Sequence, residues 1–85
     1  MQVGGYFPAQ PFVKYATNTV EVITNYYTWA TFINQGGANG DIDFGSGNIV
    51  TLRPGESISM PYLGRPYGMT TIDGTGTSIQ IVYVR

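Results

Sequence analysis

Glycine and proline interrupt this chain at close intervals, and between them stand runs dominated by Val, Ile, Thr, Tyr and Phe. That alternation constrains the fold more than any other feature. β-branched and aromatic runs bounded by Gly, Pro, Asn and Asp are strand sequence with turn punctuation. No window sustains the helical period that an amphipathic helix requires. The reading is all-β: a small antiparallel β-sandwich or jelly-roll-like barrel of about seven short strands. Its 85 residues make one domain. A chain this short buries only about 60–65% of its unfolded surface, so its core has little to spare.

The strands are placed by alternation. Residues 18–24 put Val20 and Val22 on one face and Thr19 and Glu21 on the other. Residues 26–34, YYTWATFIN, point Tyr27, Trp29 and Ile33 one way and Ala30 and Phe32 the other. Both faces are apolar, which predicts cover on both sides. Residues 41–44, 49–53 and 69–72 are shorter. Residues 56–60, ESISM, turn Ile58 and Met60 inward and Ser57 and Ser59 outward. Residues 77–84 turn Ile79, Ile81 and Tyr83 inward, and Val82 and Val84 again ask for cover on the far side. Asp73-Gly74 signals a hairpin. Arg53-Pro54-Gly55-Glu56 reads as a type II turn joining strands that cross between sheets, with an ion pair at its ends.

Residues 1–16, MQVGGYFPAQPFVKYA, are set apart as an extended N-terminal arm, with residues 17–85 as the β domain. Pro8 and Pro11 fit poorly in a central strand, while Tyr6, Phe7, Phe12 and Tyr15 give the arm something to dock with. The strand ending at Val84 is expected to leave an edge open, which the arm of a neighbour would cover.

Chemistry has few places to sit. There is no Cys and no His, so thiolate sites and the commonest general base are missing. GGANGDIDF, residues 36–44, comes close to a calcium-binding nonapeptide, but Asn39 stands where that repeat wants glycine. A single copy also lacks the stacked neighbours that share each ion. The segment reads as a turn, followed by a strand with Asp41 and Asp43 on its wet face. Those two acids sit at alternate strand positions, and edge protection explains them better than a catalytic pair. No catalytic residue, cofactor or metal is assigned. Lys14, Arg53, Arg65 and Arg85 are scattered and the net charge is −1, which argues against nucleic acid. No apolar run approaches the length of a membrane helix. The first residues lack a secretory signal pattern, so synthesis in a cytoplasm is expected.

The stretch FINQGGANGDIDFGSGNIVTLRPGESISM, residues 32–60, resembles small β domains of bacteriophage virion proteins: capsid cement or decoration proteins and parts of head fibres and tails. The resemblance implies no catalytic residue. It implies a non-enzymatic structural protein that assembles as a homo-oligomer, on a capsid or other virion protein, or both, and so a location in the virion. A surface poor in charge suits a molecule covered by neighbours. The loop PYLGRPYG adds Tyr62, Leu63, Arg65 and Tyr67 to the expected partner-binding residues. The alternative is a small carbohydrate- or surface-binding module using Tyr62, Tyr67 and Trp29.

Overall fold

A computed structural model describes residues 10–85, and these form eight strands and no helix. The strands are β1 (Phe12–Thr17), β2 (Val20–Ile23), β3 (Trp29–Asn34), β4 (Gly40–Asp43), β5 (Ile49–Leu52), β6 (Ser57–Met60), β7 (Thr70–Asp73) and β8 (Ser78–Val84). They make two four-stranded sheets, β1-β8-β3-β6 (sheet A) and β2-β7-β4-β5 (sheet B). Every pairing is antiparallel. The chain changes sheet at every connection except β4–β5, the arrangement of a small jelly-roll sandwich.

Alternation places most of the core correctly; Tyr27, expected on the face of Trp29 and Ile33, instead precedes β3 and is buried in the core with Ala30 and Phe32. Phe32 pairs with Ile81 and Ala30 with Tyr83 on the inner face of sheet A. From sheet B come Ile23, Ile42, Leu52 and Ile72. Ile58 and Met60 pack against this cluster, with Ser57 and Ser59 outward.

Three expectations need correction. Residues 12–16, assigned to the arm, form β1 instead, paired with β8 from Phe12↔Tyr83 to Thr17↔Ser78. Pro11 stands just before this strand, where a missing donor costs nothing. Tyr6 and Phe7 lie outside the described residues. The C-terminal strand β8 is central, between β1 and β3, and not an open edge. Asp73-Gly74 does not turn a hairpin, because β7 and β8 belong to different sheets. Gly74 serves close approach: a Cβ there would strike the Ala16 carbonyl. By contrast, Gly55 has φ +84° and the Arg53–Glu56 turn joins β5 to β6 across the sandwich, as its sequence indicates.

Edge protection appears where β1 and β2 leave the sandwich open. Lys14 and Glu21 both sit on inward positions and form an ion pair of 3.3 Å. The Lys14 ammonium also donates to the Val22 carbonyl at 3.3 Å. Inward charges on edge strands discourage pairing with another sheet.

One end of the sandwich is tied by buried Asn34. Its amide donates to the carbonyls of Ala38 and Leu52, each at 2.8 Å. Its Oδ1 accepts from Gly36 N–H at 3.1 Å and from the Thr77 hydroxyl at 2.7 Å. One carboxamide therefore links β3, the Gly-rich loop, β5 and the turn before β8. This gives the Gly-rich segment a structural role, and a Cβ on Gly36 would collide with Thr77.

Candidate functional site

The two outer faces of the sandwich differ in kind. On sheet B the outward positions carry Asp41, Asp43 and Asp73, with Asp41 directly opposite Asp73. With Val20, Ile49 and Thr71 they line a shallow depression of about 250 Å³. Each carboxylate has a local donor: Thr51 hydroxyl to Asp41 at 2.7 Å, Gly45 N–H to Asp43 at 2.8 Å, and Thr75 N–H to Asp73 at 3.0 Å. Hydrogen bonds from Thr75 hold the Asp73 carboxyl below its ordinary range. Among the described residues, no group of three or more His, Cys, Asp and Glu is placed to hold a metal ion. This face has the chemistry of a solvated sheet surface.

Sheet A presents the opposite. Its register puts Val13, Tyr15, Trp29, Ile33, Val82 and Val84 on the outer face, with Thr17, Thr31, Ser57, Ser59, Ser78 and Gln80 between and around them. No charged side chain is among them. Tyr15 is 52% and Val13 54% exposed; Trp29 is 37% exposed. Except for Ser57, the polar groups of this face are already paired. Gln80 donates to the Tyr15 hydroxyl at 3.1 Å and accepts from Gln35 at 3.2 Å. Thr31 and Ser59 share a hydrogen bond of 3.0 Å, and Thr17 and Ser78 one of 2.8 Å. A face whose polar groups satisfy each other loses little when water leaves it.

A second apolar area lies where the β2–β3 and β6–β7 loops meet. Tyr27 and Tyr67 staple these loops by reciprocal backbone hydrogen bonds of 3.2 and 2.7 Å and by ring stacking at 5.2 Å. Tyr27 is fully buried; its hydroxyl pairs with Thr70 at 2.8 Å, and burial pushes its phenol pKa up. The Tyr67 hydroxyl donates to the Pro61 carbonyl. Outside this staple stand Tyr26, Tyr62, Leu63 and Met69, with Leu63 71% exposed.

The residues expected to bind a partner are thus divided. Tyr15 lies on the sheet A face. Tyr62, Leu63 and Arg65 lie exposed on the loop. Tyr67 is committed to Tyr27. Phe12 caps the core at the start of β1, stacked on Tyr83 at 5.3 Å with the Arg85 guanidinium 4.5 Å over its ring. The sequence reading did not single out Val13, Ile33, Tyr26 or Met69. The usable signal was the absence of charge at the outward positions of β1, β3 and β8.

No family model matches the chain, and no curated protein matches it significantly. Among solved structures, the chain is similar to a de novo designed double-stranded β-helix determined by solution NMR. The TM-score is 0.50 at 16% identity, covering 93% of this chain and 100% of that one. At that identity the likeness bears on the fold alone.

Proposed function

We propose that the protein is a non-enzymatic virion structural subunit, a bacteriophage capsid cement or decoration protein. It is made in the host cytoplasm and acts by docking of an uncharged surface. The observation that carries this reading is the outer face of sheet A: six apolar side chains, no charge, and polar neighbours that bond to each other. The apolar patch on the β6–β7 loop supplies a separate contact for the shell, so that one subunit meets a neighbour through sheet A and the shell through this loop. The resemblance of residues 32–60 to virion β domains supports the same class. The test is quantitative mass spectrometry of virions purified from the virus or lysogen that carries the sequence. The proposal expects the chain in stoichiometric proportion to a major shell protein. Its absence from particles refutes the proposal.

A carbohydrate-binding module is the second reading, favoured by the exposed rings of Tyr26 and Tyr62. Tyr67, packed on Tyr27, does not serve it. Calorimetric titration with oligosaccharides separates the two: saturable binding lost in Tyr62→Ala supports the module, and no heat supports the structural subunit.

A further inference from the structure

We infer that the outer face of sheet A is a self-association surface, whose occupant is the same face of a second copy. The inference rests on the reading of the protein as an assembly subunit and names its first partner. The sequence of β3 and β8 asks for cover on two sides. Among the described residues the fold supplies cover on one, since Ala30, Phe32, Ile79, Ile81 and Tyr83 take the core while Ile33, Val82 and Val84 look outward.

Charge selects the occupant. A contact between two sheet B faces would set Asp41, Asp43 and Asp73 against the same three acids of the neighbour. A contact between two sheet A faces opposes no like charges and holds the acidic faces on opposite outer sides of the pair. Such an isologous contact is self-complementary and closes at two copies. Four strands about 4.8 Å apart and about six residues long at roughly 3.3 Å per residue give a footprint of roughly 400 Å² per copy. That is about half the ~800 Å² per partner of a standard interface, which places the pair among weak, transient contacts.

The experiment is sedimentation equilibrium of the whole chain from roughly 10 to 500 µM. The expected result is a reversible monomer–dimer equilibrium, weakened at least about tenfold by Val82→Lys or Ile33→Lys, because each places like charges in one contact. Thr71→Lys, on sheet B, should leave it unchanged. Mixing the Val82→Lys and Val82→Glu proteins should restore association, which also shows that both variants are folded. A wild-type chain that stays monomeric throughout overturns the inference. So does a dimer that survives Val82→Lys, or an association that mixing does not restore. A monomer nevertheless present in virions overturns this inference and leaves the cement reading standing; a dimer absent from virions does the reverse.

Discussion

Replacing Asn34 with Ala removes a buried side chain that ties both sheets together at the turn end. Asn34 is fully buried and makes four hydrogen bonds. The substitution strands the carbonyls of Ala38 and Leu52, the Gly36 N–H and the Thr77 hydroxyl. A buried polar group left unpaired costs about 1–3 kcal/mol, and the exposed loop lets water relieve some of the four. The expected loss is therefore about 3–4 kcal/mol. A domain of this length holds only roughly 4–13 kcal/mol in all, so the variant should sit near the edge of folding. Urea denaturation followed by circular dichroism measures the loss, which corresponds to a fall of roughly 12–30 °C in melting temperature. Asn34→Asp should be worse at neutral pH, since a carboxylate would face two carbonyl oxygens and donate nothing. A loss below about 1 kcal/mol for Asn34→Ala would mean instead that the buried network contributes no more than a typical surface contact.

The remaining expectations concern pH, the loop staple and calcium. The Glu56 carboxyl lies below its ordinary value of 4.5, first through the Arg53 backbone N–H and then through the Arg53 side chain; Asp73 is likewise lowered from 3.8 by Thr75. A lowered folded pKa stabilises above the unfolded value and is lost as pH falls through the folded one. Melting temperature should therefore hold from neutral pH to about 5 and fall below about 4, less steeply in Glu56→Gln; a flat profile to strong acid would contradict this. Tyr67→Ala should cost about 2 kcal/mol in urea denaturation, through lost stacking on Tyr27, while Tyr62→Ala stays within about 0.5 kcal/mol; equal effects would contradict the division between them. Calcium should not move the melting temperature, because the Gly-rich segment serves Asn34; a rise of several degrees that Asp41→Asn abolishes would overturn that account.

Much of the fold was legible because β periodicity is local. Ile79, Ile81 and Tyr83, or Ser57 and Ser59, declare their faces within a few residues. β1 was missed because Pro8 and Pro11 dominate the first residues, although Pro11 merely precedes the strand. Tyr27 was drawn into β3 because YYTWATFIN is an unbroken run of strand formers. Only a tertiary partner, Tyr67, shows that Tyr27 leaves the strand to pin a loop. Asn34 was invisible for the same reason: its partners Leu52 and Thr77 lie 18 and 43 residues away. The outer face of sheet A was half legible. The sequence showed two apolar faces on β3 and β8, but not that only one of them is covered by the described residues.

The most direct test of that surface is nuclear magnetic resonance of the labelled chain with a neutral paramagnetic cosolute, compared at roughly 20 and 500 µM protein. Self-association through sheet A should shield Val13, Ile33 and Val82 from the cosolute as concentration rises, while Asp41, Thr71 and Asp73 remain equally accessible. Equal accessibility of the sheet A residues at both concentrations, or shielding confined to sheet B, would contradict it.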